Sequence, residues 1–250
     1  MERIYRRTFI ERCGKGVVGI AALAAFMALA PEYAWAQQVA KNDKRIKTEN
    51  TSFQTVQGFV KGYLVRPANA SAIDKVPVVV VVSENGGLNP YIEDVARRLG
   101  TENFMVFAPD GVTPDNLIAA ARWLQALPES TGKLGVIGFS SGGGMASTLA
   151  VQLGADVSAA VSFYGAAPAT DDVAKIKAAV LVHHAELDQA QAAGWPTYDA
   201  ALTAANAPHE GYMYPNANRG FHNNTTPQYD EAAAKLAWSR TVSWLNKYLR

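Results

Sequence analysis

The segment Gly138-Phe139-Ser140-Ser141-Gly142 has the spacing G-x-S-x-G. A serine at the centre of that pattern, set between a strand and a helix, can attack a carbonyl carbon once a base takes its proton. The turn is sharp, so its neighbours must be small where the strand and helix backbones meet, and Gly138, Gly142 and Gly143 meet that need. In this register Ser140 is the nucleophile, and Ser141 after it offers a backbone N–H to an oxyanion. The plainer reading of the same residues is a glycine-rich turn entering a helix.

A serine nucleophile needs a base, and the base needs an acid to orient it. The chain has four histidines: His183, His184, His209 and His222. His222 stands in the polar stretch "NANRGFHNNTT" before the last predicted helix, so the order Ser, acid, His is available. His222 is therefore the expected base. Asp188, a few residues past the predicted strand "AAVLVHH", is the expected acid, with Glu186 its nearest competitor. Asp171 and Asp172 read as first-turn charges of a short helix. "HHAELD" also offers His183, His184, Glu186 and Asp188 as metal ligands, but neighbouring residues on a strand face opposite ways. Neither a metal nor a cofactor is expected.

The elements that must hold these groups follow from patterning. "VPVVVVV" (76–82) is an unbroken β-branched run and predicts a strand buried on both faces of a parallel sheet. "FMVFAPD", "KLGVIGF", "VSAAVSFYG" and "AAVLVHH" are further strands, "EGYMYP" is a short one, and "VQGFVKGYLVRP" is an outer strand ending at Pro67. Between them lie helices. "NPYIEDVARRLG" has Asn89 as N-cap, Pro90 in the first turn and Gly100 as C-terminal cap. "TPDNLIAAARWLQAL" is capped by Thr113, and the last helix by Thr226. Strands alternating with helices predict an α/β fold with a mostly parallel central sheet and helices on both faces. The chemistry of such sheets gathers at the carboxyl ends of the strands.

The chain of 250 residues is 49% hydrophobic and 18% charged, enough for one domain with a core of its own. A formal net charge of +1 without a basic cluster argues against nucleic acid as a partner. Residues 1–36 stand apart. A basic start (Arg3, Arg6, Arg7, Arg12, Lys15), a 14-residue apolar run (17–30) and Ala34-Trp35-Ala36 follow the order of a secretory signal. "RRTFI" fits a twin-arginine signal, read by the twin-arginine export machinery. Cleavage after Ala36 would leave 18 basic and 19 acidic side chains and remove Cys13, the one cysteine. The expected product is periplasmic or secreted and has no thiol. Residues 37–55 read as a loose N-terminal arm and 56–250 as the single α/β domain.

"SENGGLNPYIEDVARRL", "GFSSGGGM", "AAVSFYG" and "GFHNNTTPQYDEAAAKLAWSRT" resemble segments of the dienelactone hydrolases, a branch of the α/β-hydrolases. The resemblance runs from about Val56 to Leu249, in the family's order. It implies the α/β-hydrolase fold, a triad of Ser140, Asp188 and His222, and an oxyanion hole built from the N–H groups of Asn85 and Ser141. It also implies that Glu84 lies beside the nucleophile, where its charge would favour a protonated His222.

Three departures from the family pattern carry weight. The family's nucleophile is commonly Cys, and here it is Ser140; a serine resists oxidation outside the cytoplasm. Arginines that hold a substrate carboxylate in the family are replaced by Thr226 and by Asp110-Gly111-Val112, which favours a neutral ester over a carboxylated lactone. Arg219, in the last loop, is the arginine that could approach such a carboxylate from another side, with no sequence signal that it does. Only "GVTP" separates the "APD" strand from the next helix, which predicts an open pocket. The reading is thus a serine hydrolase acting on a small-molecule ester or lactone through an acyl-enzyme. A broad carboxylesterase or polyester hydrolase on the same triad is the near alternative, with Tyr91, Tyr164 and Trp195 as candidate pocket aromatics. A non-catalytic binding protein on the same fold is the distant one.

Overall fold

The computed structural model describes residues 37–250 except 57, 85, 86 and 112. The expected signal, its cleavage site, Cys13 and Asn85 lie outside the described residues. The elements in chain order are β1 (Ile46–Thr55), β2 (Gly58–Pro67), β3 (Val76–Val82), α1 (Pro90–Thr101), β4 (Met105–Pro109) and α2 (Pro114–Gln125). They continue with β5 (Ser130–Phe139), α3 (Ser141–Leu153), β6 (Val157–Phe163), α4 (Thr170–Val173) and β7 (Ala179–Ala185). The chain closes with α5 (Gln189–Ala192), α6 (Trp195–Ala204), β8 (His209–Tyr214) and α7 (Glu231–Leu249).

The strands form one eight-stranded sheet in the order β1-β2-β4-β3-β5-β6-β7-β8. Only β1 with β2 and β2 with β4 pair antiparallel; the pairs from β4 through β8 are parallel. The valine run explains itself in this frame. Val79 and Val81 enter the core under α1 and α7. Val78, Val80 and Val82 enter the core under α2, α3 and α6. Both faces of β3 are dry, so both sets of positions must be apolar. Pro77 has no N–H to give, and the pairing with β5 shifts register between Val76 and Val78.

Three local readings need correction. Residues 46–55 are a ten-residue strand, not part of a loose arm. β1 is an edge strand with polar residues at most positions, so no apolar alternation marks it. Gly100 does not end α1, which runs on to Thr101. It sits where a Cβ would come within 2.5 Å of Val65, so its role is close packing of α1 on β2. The cap of α7 is Asp230, whose carboxylate accepts from the Ala233 N–H at 3.0 Å, and not Thr226. The Asn89 and Thr113 caps are in place, accepting from Ile92 N and Asn116 N at 3.0 and 3.3 Å.

Because β3, β5, β6, β7 and β8 run parallel, their carboxyl ends share one edge of the sheet. Glu84, Ser140, Tyr164, Asp188 and the loop after Tyr214 all leave the sheet there. Topology alone therefore gathers the candidate groups.

Candidate active site

Ser140 stands between β5 and α3 with φ 55° and ψ −118°, a backbone that a residue with a Cβ rarely adopts. The turn survives because its flanks carry no side chains. A Cβ on Gly138 would lie 1.8 Å from the carbonyl oxygen of Gly142, and one on Gly142 would lie 2.5 Å from that of Val82. The Ser140 N–H donates to the Phe163 carbonyl at 3.0 Å, and its own carbonyl accepts from Gly143 N at 3.0 Å. This is the geometry of a nucleophile elbow. Ser141 is the first residue of α3, so its backbone N–H lies at the positive end of the helix dipole.

Asp188 follows β7 and sits one residue before α5. Its Oδ2 is buried and has no hydrogen-bond partner among the described residues. What faces it is Arg219, whose Nε lies 3.8 Å away. The same guanidinium reaches the elbow: Nη2 and Nε donate to Ser140 Oγ at 2.8 and 3.2 Å. The group that joins Ser140 to Asp188 is therefore an arginine. This corrects the expectation for His222, which touches neither residue by hydrogen bond. Its Nδ1 shares a hydrogen bond of 2.7 Å with the Tyr91 hydroxyl, and its Nε2 is buried without a partner among the described residues.

The reason lies in how the last loop docks. Asn216 N donates to Glu186 Oε2 at 2.7 Å, and Leu187 N donates to the Ala217 carbonyl at 3.0 Å. These bonds lay the start of the loop along the segment that carries Asp188 and bring Arg219 over the elbow. Gly220 then turns the chain at φ 90°. Phe221 and His222 go inward, and His222 ends 2% exposed. Its ring stacks on Phe139 at 5.4 Å and on Trp238 at 5.8 Å, and lies 4.9 Å from Phe163. Glu186, the competing acid, anchors the loop.

Charge follows burial. The His222 pKa is pushed well below its usual 6.5 by loss of water, and then by the charge of Arg98 and by His183. That direction is opposite to the protonation expected from the Glu84 carboxylate. Glu84 does join the cluster: its Oε1 accepts from Asn223 Nδ2 at 3.0 Å. Burial raises its carboxyl pKa, against the pull of the Asn223 bond and of the Arg219 charge. Burial also raises the Tyr91 and Tyr164 hydroxyls well above 10. Both rings are core, at 3% and 0% exposed, rather than pocket walls. Trp195 packs on His184 at 5.1 Å.

The two strand histidines part as alternation requires. His183 Nε2 and Nδ1 bond the hydroxyls of Thr241 and Tyr214 at 3.0 and 2.9 Å, while both nitrogens of His184 are without partners among the described residues. No group of three His, Cys, Asp or Glu suited to a metal occurs among the described residues.

The structure brings the expected Ser140 and Asp188 together, and between them stands Arg219, which the sequence suggested only as a partner for a substrate carboxylate. Sequence reasoning searched for the base among titrating side chains, and an arginine does not titrate near neutrality. The signal that could have found it is Gly220. A glycine between two candidate side chains lets them diverge, so the nearer residue needed equal weight.

The comparisons with known proteins agree with this frame. The family model for the dienelactone hydrolase family matches residues 60–113 and 111–249. The two stretches meet at the short connection between β4 and α2. A Salmonella typhi protein with the provisional name carboxymethylenebutenolidase is 27% identical over 244 residues, covering 82% of this chain and 89% of that one. An Escherichia coli K12 hydrolase fragment, provisionally so named and designated YghX, is 50% identical over 94 residues, which is 37% of this chain and 79% of the fragment. A crystal structure from Klebsiella pneumoniae, provisionally named a dienelactone hydrolase, superposes with a TM-score of 0.74 at 26% identity, covering 81% of this chain and 99% of that one. An eight-stranded, mostly parallel sheet, helices on both faces and a serine elbow at its carboxyl edge make this the α/β-hydrolase fold, and the chain belongs to the dienelactone hydrolase family.

Proposed function

We propose that the chain takes small esters or lactones at Ser140 and accepts their acyl group on Oγ. The observation that supports this most is the elbow. A non-glycine residue is held at φ 55° between two glycines that tolerate no Cβ, and this backbone presents Oγ at the carboxyl edge of the sheet. The N-terminus of α3 lies beneath it, where negative charge developing on a carbonyl oxygen is favoured. The N–H groups of Ser141 and Asn85 are the proposed oxyanion donors. Membership in a family of hydrolases supports the same reading.

Arg219 sets the rate this site can reach. A guanidinium is a donor with no acceptor atom, so it cannot take the Oγ proton. Its two N–H bonds also occupy the lone pairs that would attack. A missing general base costs about 10²–10⁴-fold, so acylation of Ser140 is slow as the site stands. That observation favours a second reading, in which the site holds an acyl compound or its acid without turning it over.

Fluorophosphonate labelling with peptide mapping separates the two. Slow modification at Ser140 alone supports acyl transfer. No modification of the folded protein supports binding without turnover. Ser140→Ala abolishes labelling, whereas Ser141→Ala retains most of it, because only a backbone group of Ser141 is used. Residues 1–36 are proposed to act as a twin-arginine signal. Amino-terminal sequencing of the exported protein tests this, with Gln37 expected first.

A further inference from the structure

We infer that Arg219 stands in the place of the general base and holds Ser140 inactive, so that Arg219→His converts the site into a working serine hydrolase. The inference rests on Ser140 being the acyl acceptor and goes beyond it by naming what holds the site back. Three observations carry it.

The first is position. Arg219 Nε is 3.2 Å from Ser140 Oγ and 3.8 Å from Asp188 Oδ2. It is one atom between nucleophile and acid, which is where a base must stand. The second is reach. The Nε of arginine and the Nε2 of histidine are both four bonds from Cα, so an imidazole at 219 comes to the same region with its second nitrogen free for the acid. The third is the acid itself. Asp188 Oδ2 is buried without a hydrogen bond, while the Arg219 side chain is 46% exposed. A buried carboxylate oxygen that lacks a donor matches an imidazole N–H, the partner that fixes the tautomer of a triad histidine. His222 cannot take this role: its ring is enclosed by Phe139, Phe163 and Trp238, and its Nδ1 is bound to Tyr91.

In the variant the steps balance with water alone. As Oγ bonds the carbonyl carbon, its proton passes to the imidazole and the C=O electron pair moves onto oxygen. Collapse of that intermediate breaks the ester C–O bond, and the imidazolium protonates the leaving alkoxide. Water, deprotonated by the same imidazole, then attacks the acyl carbon and releases the acid, returning the proton to Oγ.

The test compares wild type, Arg219→His and Arg219→Gln in p-nitrophenyl acetate hydrolysis and fluorophosphonate labelling, with folding checked by circular dichroism. Arg219→His is expected to gain about 10²–10⁴-fold, with a rate that rises with pH through roughly 6.5. Adding Asp188→Asn or Ser140→Ala removes the gain, and Arg219→Gln, which frees the Oγ lone pairs but supplies no base, gains far less than Arg219→His. Equal gains in the Gln and His variants overturn the inference, because relief of blockage would then suffice without a base. Labelling of wild type at Ser140 with no gain in folded Arg219→His overturns the inference and leaves the acyl-acceptor reading standing. No labelling of any folded form overturns both. Should Arg219→His fail to fold, Arg219→Ala with added imidazole replaces it: a rate that rises and saturates with imidazole supports the inference, and a flat response overturns it.

Discussion

Arg219 and His222 are three residues apart on one loop, yet they belong to different worlds. Arg219 is half exposed among charges, with Asp188 on one side, Glu84 in its field and a serine hydroxyl under its fork. His222 is buried, packed on Phe139, Phe163, Trp238 and Tyr91, and stays neutral. The difference shows that residue type does not assign a role. A histidine suited to proton transfer serves here as an aromatic core residue with one polar tether. An arginine, unsuited to it, stands between Ser140 and Asp188.

The contrast can be broken most forcefully with acid. His222, His183 and His184 are all held neutral by burial, with His183 and His184 lowered to about 3 and about 4 from the usual 6.5. Below 6.5 the unfolded chain binds these protons and the folded chain does not, so stability is full above that pH and falls as pH drops toward 4. Each histidine contributes about 1.4 kcal/mol per pH unit in that window. Urea unfolding at about pH 7 and about pH 5 is expected to show a loss of several kcal/mol, on the order of this slope summed over the group. A flat profile would mean that these rings have access to water.

A smaller disturbance is Gly138→Ala. Its Cβ would meet the Gly142 carbonyl at 1.8 Å, backbone against backbone, so the elbow that divides the two regions must open. A loss of about 3 kcal/mol or more is expected in chemical denaturation, and fluorophosphonate labelling should vanish with it.

Tyr91→Phe sharpens the comparison from the buried side. It removes the hydroxyl on His222 Nδ1 and leaves both ring nitrogens without partners, at a cost of about 1–3 kcal/mol. Arg219→Gln probes the exposed side by removing the guanidinium from Ser140 and Asp188, and should change stability by less than about 1 kcal/mol, since the ion pair it breaks is long and its arginine half in water. Thermal melts of these two variants side by side order the two regions. If the arginine variant lost more, Arg219 would be a structural clamp.

Most of the frame was legible in the chain. β3 declares itself because a strand dry on both faces admits only apolar residues, and Asn89 and Thr113 mark helix starts by chemistry local to the first turn. Ser140 was legible for the same reason, since an elbow is fixed within five residues. β1 was not, because half of an edge strand faces water and its sequence resembles a loop. The group that faces Ser140 and Asp188 was not legible because it depends on where a 16-residue connection between Tyr214 and Glu231 docks. That docking is set by Glu186 and Leu187, some thirty residues earlier in the chain. Choosing His222 answered what a reaction would need, and the path of the chain answered differently.

The last loop is fastened at both ends. Asn216 and Ala217 hold one end to the β7–α5 segment, and the Asp230 N–H holds the other to the Phe221 carbonyl at 2.9 Å. Position 219, half exposed between these fastenings, can therefore change residue without disturbing the sheet. An arginine codon CGC and a histidine codon CAC differ by one base. In a lineage carrying such a codon, a silent member of this fold and an active one would stand a single transition apart, and selection could cross between them in either direction without rebuilding the fold.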